Sequence, residues 1–240
     1  MSALYLVRLQ PDQKAFLRWA SKHRLLRAGD QGYAWHAALK AALGDLAPQP
    51  FAVVTRHEKP ELLGYTASSP NNWLALAQDF DAVHAIGLDR EVQQRAMPSS
   101  WETGLQLSFE ARVRPVARTR QGRGNASERD VAMLARELDP NASIELAYQE
   151  WLARELARGD AATLRAVRMV SINSTQVLRK GIAGEAGRAH SSINGPDVLM
   201  RGELCVGSSA DFNALLARGL GRHRAFGFGC LLLAPSGVLR

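Results

Sequence analysis

The order of periodic segments in the amino-terminal part of the chain leaves it few folds. Leu4 to Leu9 reads as a short buried strand. Pro11 and Asp12 then open a helix carrying Phe16, Leu17 and Trp19, since proline suits a first helical turn and aspartate caps one. A basic stretch, Lys22-His-Arg-Leu-Leu-Arg27, ends in Gly29. Asp30 is the expected cap of a second helix running to about Leu43, with Gly44 just past its end. Phe51 to Thr55 and Leu62 to Ser68 have strand patterns, with the turn expected at Pro60. Asn71 or Asn72 is the expected cap of a helix over Trp73 to Phe80, and Val83 to Leu88 reads as a further strand. Strand, helix, strand, strand, helix, strand is the ferredoxin-like unit.

The polar segment Arg90 to Thr103, which includes Pro98-Ser-Ser, is the expected linker. It separates a first domain over residues 1–92 from a second over 104–240. In the second, Leu105 to Val116 alternates as a half-buried strand, and Ser127 and Asp130 start a helix to about Leu138. A further helix over Ile144 to Ala157 precedes extended structure from Leu164 to Leu178, which ends in Arg179-Lys180. Gly181 to Gly187 turns the chain toward a strand over Val198 to Val206, and Ser209 caps a short helix over Phe212 to Arg218. The expected class is α+β, with two tandem ferredoxin-like βαββαβ domains.

Apolar residues make up 46% of the 240, enough for buried cores, so the chain is globular. The 30 Lys and Arg outnumber the 23 Asp and Glu, giving a net charge of +7. That excess favours a polyanionic partner, most simply nucleic acid. Met1 to Leu9 is too short and too soon charged for a signal peptide, and no run approaches membrane-spanning length, so a cytoplasmic, membrane-free protein is expected. Cys205 and Cys230 both sit in apolar runs and read as buried thiols of a reducing compartment.

Three stretches carry candidate chemistry. On the second helix Trp35, Leu39, Ala42 and Leu43 share one face, while Tyr33, His36 and Lys40 fall at i, i+3 and i+7 on another. From Arg112 to Arg123 there are five arginines, namely Arg112, Arg114, Arg118, Arg120 and Arg123, and no acid. Like charges without compensation repel, so a polyanion is a natural neighbour. Gly219-Leu-Gly-Arg-His-Arg-Ala-Phe-Gly-Phe-Gly229 leads into the apolar run Cys230 to Ala234. Glycines let a loop approach a partner closely and present its N–H groups to an anion, with Arg222 and Arg224 beside them. There is no paired-carboxylate cluster, His-Glu-x-x-His or Cys-x-x-Cys, so neither a metal nor a cofactor is expected.

These stretches resemble the CasE (Cse3) type of CRISPR precursor-RNA endoribonucleases, members of the RAMP superfamily with two ferredoxin-like folds. Arg201-Gly-Glu-Leu, Gly219-Leu-Gly-Arg and Phe226-Gly-Phe-Gly-Cys-Leu-Leu-Leu-Ala-Pro235 are similar to that family's glycine-rich loop and last strand. Arg112-Val-Arg-Pro115 resembles its Arg-Ala-Asn-Pro strand, departing at Val113 and Arg114. Tyr33-Ala-Trp-His36 has the spacing of the Tyr-x-x-His pair that serves as the active site in some members.

The resemblance implies metal-independent cleavage of CRISPR repeat RNA at the base of its stem-loop, by attack of the ribose 2′-hydroxyl on the adjacent phosphate. His36 is then the expected general acid, and Tyr33 orients the phosphate or the 2′-hydroxyl or helps remove its proton. A phenol with an ordinary pKa of about 10 favours positioning. The expected RNA contacts are Arg112, Arg114, Arg118, Arg120, Arg123, Arg129, Arg179, Lys180, Gly219, Gly221, Arg222 and Arg224. The implied partners are the crRNA stem-loop and the subunits of a Cascade complex. The alternative is a non-catalytic RAMP-type scaffold that binds crRNA through the same arginines.

Overall fold

The computed structural model describes residues 3–26, 31–56, 58–119, 127–180 and 190–238, with the side chains of 178–180 and 190–193 left aside. The chain divides into two compact units. The first comprises Met1–Met97, Thr175–Asn194 and Ala225–Gly227; the second comprises Pro98–Ser174, Gly195–Arg224 and Phe228–Arg240.

In the first unit, β1 (Tyr5–Leu9) leads into α1 (Gln13–Lys22) and α2 (Gly32–Leu43). β2 (Phe51–Arg56), β3 (Lys59–Thr66), α3 (Trp73–Leu76), α4 (Phe80–Ile86) and β4 (Gln93–Ala96) follow. The strands form one antiparallel sheet in the order β2-β3-β1-β4. Val7 and Leu9 of β1, Phe16 and Trp19 of α1, Trp35 and Leu39 of α2, and Val83 and Ile86 of α4 make its core. Phe16 and Trp35 stack face to face with centroids 3.4 Å apart, which fixes α1 against α2.

Asp12 caps α1, its Oδ1 accepting from the Ala15 N–H at 2.9 Å. The expected cap Asp30 lies outside the described residues, and Gln31 at the start of α2 makes no side-chain cap bond.

Four readings of this half need correction. Val83 to Leu88 is not a strand: Ala82, Val83, Ala85 and Ile86 are buried at helical spacing in α4. Asp79 caps that helix and Gly87, at φ 73°, ends it. The expected helix over Trp73 to Phe80 therefore breaks after Leu76. The fourth strand instead lies inside the segment read as linker, where Gln93-Gln-Arg-Ala96 is an exposed edge with no apolar alternation to betray it. Pro60 sits inside β3 opposite Thr55, near the strand's first residue, where a missing N–H is tolerated.

The second unit contains β5 (Gln106–Val113), a ribbon of β6 (Val116–Thr119) and β7 (Ser127–Asp130), α5 (Val131–Leu138) and α6 (Ile144–Leu156). β8 (Ala162–Lys180) up to Ser174, β9 (His190–Val206) from Gly195, α7 (Ser209–Arg218) and β10 (Leu232–Pro235) complete it. The sheet order β10-β5-β9-β8 repeats the topology of the first unit, so both units are ferredoxin-like. Asp130 caps α5, but Ser127 belongs to the ribbon; Ser208 rather than Ser209 caps α7. Cys230 is buried as expected, whereas Cys205 is only half-buried.

Candidate functional site

The buried face of α2 determines what its other face can offer. Trp35, Leu39, Ala42 and Leu43 are all interior, which leaves Tyr33 and His36 half-buried and Lys40 exposed. Lys40 donates to Asp45 Oδ1 at 3.0 Å. The third member of the cluster comes from far along the chain. Phe226 belongs to the same compact unit as α2. Its ring lies 5.9 Å from that of Tyr33 and 5.7 Å from the imidazole of His36, the latter pair nearly perpendicular at 84°. Edge-to-face contact at such distances is the favoured arrangement of aromatic rings.

Phe226 is carried by the glycine-rich stretch, whose flanks are tied down within the second unit. Gly219 ends α7 at φ 74°, with its N–H donating to the Leu215 carbonyl at 2.7 Å. The Leu220 N–H donates to the Gly229 carbonyl at 2.8 Å, and the Gly229 N–H to the Arg112 carbonyl at 2.7 Å. The Gly221 N–H donates to Glu155 Oε2 at 3.0 Å. These four N–H groups are thus turned to protein acceptors, contrary to the reading of the loop as a cradle for an anion. At Gly221 the reason for glycine is packing: a Cβ there would lie 2.6 Å from the Trp151 ring of α6.

The loop's basic side chains have protein partners too. Arg222 Nε donates to Glu128 Oε1 and His223 Nε2 pairs with Glu128 Oε2, each at 2.6 Å, and Arg224 Nη1 donates to the Arg218 carbonyl at 2.6 Å. The hydrogen bond with His223, helped by that from Arg222, outweighs burial and holds the Glu128 carboxyl at about 2 against an ordinary 4.5. A depressed carboxylate pKa adds stability above its unfolded value and loses it as pH falls. The wild type is therefore expected to lose about 1–2 kcal/mol, after discounting for solvent screening, as pH drops from roughly 4.5 toward 2. Glu128→Gln should flatten that limb in acid-unfolding curves; an unchanged limb would count against the clamp.

A family profile described as CRISPR associated protein matches residues 4–235. The chain belongs to that CRISPR-associated family. No curated protein sequence matches it. Among solved structures it is similar to Thermus thermophilus Cse3 bound to an RNA representing a pre-cleavage complex, at 18% identity and a TM-score of 0.63, covering 97% of this chain and 100% of that one. It is also similar to the CRISPR-associated protein Cas6e from Escherichia coli K-12, at 18% identity and a TM-score of 0.58, covering 96% and 99%. A chain of a CRISPR RNA-guided surveillance complex matches at 16% identity and a TM-score of 0.53, again covering 96% and 99%. The CasE-type fold inferred from the motifs is thus the fold the chain has.

In this CRISPR-associated protein the arginines expected at RNA are placed differently from one another. Arg112 Nε and Nη2 grip both carboxylate oxygens of Asp197 at 2.8 and 2.5 Å, and its guanidinium lies 4.5 Å from the centre of the Phe228 ring. Arg114 is interior, 1% exposed, on the same ring at 5.8 Å. A Cβ on Gly195 would lie 2.6 Å from its Nη2, so that glycine admits the guanidinium. Arg129 pairs with Glu137. Arg118 on β6 is exposed. Arg120 and Arg123 lie outside the described residues, as do the side chains of Arg179 and Lys180 at the end of β8.

The arginine run has no acid within it, but the fold supplies Asp197 to it from β9 and Glu137 to neighbouring Arg129. Glu128, Glu155 and Asp197 are partners that sequence reading passes over, and Phe226 is read there only as part of the glycine-rich motif. Only Phe226 had a visible signal, as an aromatic between basic residues and Gly227. Among the described residues no three His, Cys, Asp or Glu side chains gather as a metal site, and no helix is long and apolar enough to cross a membrane.

Proposed function

We propose that this chain is a metal-independent endoribonuclease that cuts CRISPR repeat RNA at the base of its stem-loop. It then stays on the mature crRNA as a cytoplasmic subunit of a Cascade-type complex. In this reading the domain over 1–92 carries the Tyr/His pair and that over 104–240 the basic loops. The observation that carries the reading is the packing of Tyr33 and His36 on Phe226, in a chain of this family. The shared fold with an RNA-bound Cse3 and a surveillance-complex chain supports it.

The 2′-oxygen gives up its proton and its electron pair forms a bond to phosphorus. The bond from phosphorus to the 5′-oxygen then breaks, leaving a 2′,3′-cyclic phosphate and a 5′-hydroxyl. The departing oxygen is a strong base and needs a proton as it leaves. His36 supplies that proton, because imidazole alone among unperturbed side chains titrates near neutrality. Tyr33, one turn earlier, orients the phosphate or the attacking hydroxyl.

A-form RNA hides its base edges in a deep, narrow groove, so recognition leans on phosphates and shape. Arg118, Arg120, Arg123, Arg179 and Lys180 serve as phosphate contacts. Arg222 is 41% exposed at its side chain and directs its remaining donors to RNA while Nε holds Glu128. Arg112 and Arg114 act through the Phe228 end of the loop.

Incubation of a labelled repeat RNA in excess EDTA should yield one cut at the foot of the stem; a strict need for added divalent metal would overturn the mechanism. For the Arg118→Ala, Arg120→Ala, Arg123→Ala triple variant, binding should weaken. The slope of log Kd against log salt should fall by about 0.7–0.9 for each phosphate no longer neutralised. An unchanged slope would remove these side chains from the interface.

A further inference from the structure

We propose that Phe226 is a positioning residue: its ring fixes the orientation of the His36 imidazole and the Tyr33 phenol. The proposal rests on the reading of His36 as proton donor.

A side chain on the open face of a helix has more than one staggered χ1 well, and only some aim an imidazole at a given oxygen. Tyr33 and His36 are half-buried and rise from the same face of α2. One ring meets both, at 5.9 and 5.7 Å. An aromatic pair of this kind is worth about 0.5–1.5 kcal/mol beyond its buried area. A bias of that size is enough to make one orientation dominant.

Within the second unit, the chain before Phe226 is bonded at Gly221 by Glu155, at Arg222 and His223 by Glu128, and at Arg224 by the Arg218 carbonyl. On the far side the Gly229 N–H is bound to the Arg112 carbonyl. His223 adopts φ 60°, a left-handed conformation that costs a non-glycine residue free energy and persists where surroundings over-determine it. Glu128, gripping two consecutive residues, provides that determination. Phe226 itself carries no group that can bind a proton or a phosphate, so what it supplies to the reaction is geometry.

The test uses the full chain with Phe226→Ala, Phe226→Leu and Phe226→Tyr. Single-turnover cleavage of bound repeat RNA should fall about tenfold in F226A, with RNA affinity within twofold of wild type. Phe226→Tyr should recover the rate, while Phe226→Leu, which keeps bulk but not the ring, should not. On the RNA-free protein, the χ1-dependent NMR couplings of His36 should report one rotamer in the wild type and averaging in F226A. Wild-type cleavage by F226A, equal losses in all three variants, or unaltered His36 couplings in F226A would each overturn the proposal. Normal cleavage by His36→Ala would instead remove the parent reading, and the couplings would still decide whether Phe226 orders the imidazole.

Discussion

Replacing His36 by alanine should abolish repeat-RNA cleavage while leaving RNA binding intact. The expected loss in the single-turnover rate is about 10²- to 10⁴-fold, the usual contribution of a general acid. Binding is spared because the proposed RNA interface consists of arginine and lysine side chains rather than of α2. Tyr33→Phe, which keeps the ring against Phe226 and removes the hydroxyl, should cost less if Tyr33 only orients the substrate. A His36→Ala protein that still cuts at the wild-type rate would make this chain a binder whose chemistry lies elsewhere. One that no longer binds would make His36 part of the interface instead.

A second large effect is expected at Gly229. Its φ is +75°, and a Cβ there would lie 2.1 Å from the Leu220 carbonyl oxygen and 3.1 Å from the Leu220 carbonyl carbon and amide nitrogen. Those are backbone atoms, and Leu220 is itself bonded to the Gly229 carbonyl, so neither partner can step aside. Gly229→Ala should therefore destabilise the protein by about 3 kcal/mol or more and lower the melting temperature by roughly 10 °C. Gly104→Ala is the matched control: its φ is +90°, but no neighbouring atom lies within 4 Å of the added Cβ. That variant should show only the conformational penalty, about 1 kcal/mol. Equal melting points for the two variants would mean that close approach at Gly229 is not what its glycine serves.

The parts of this molecule legible in its sequence are those specified locally. The buried stripe of α2 and the open placement of Tyr33 and His36 follow from helical spacing, and the fold shows them as read. The fourth strand of the first sheet is not legible, because Gln93-Gln-Arg-Ala96 is an exposed edge paired with β1 and needs no apolar alternation. Val83 to Leu88 misleads because an apolar run of that length suits a strand or a buried helix equally, and the Asp79 and Gly87 caps decide between them.

The candidate site divides along the same line. Composition reveals a basic, glycine-rich loop. Which way its Gly221 N–H and its Arg222 and His223 side chains face depends on Glu155 and Glu128, acids 66 to 95 positions earlier in the chain. Arg112 looks uncompensated in sequence for the same reason, since its partner Asp197 lies 85 positions away.

The proposed cleavage uses an internal nucleophile, and the substrate's own ribose tests it most directly. A repeat RNA carrying 2′-deoxyribose at the single nucleotide before the cut should bind with the affinity of the all-ribose RNA and remain intact in the presence of EDTA. The all-ribose RNA under the same conditions should end in a 2′,3′-cyclic phosphate. Cleavage of the deoxy-substituted RNA at that position would contradict this chemistry, because no 2′-oxygen would be there to attack.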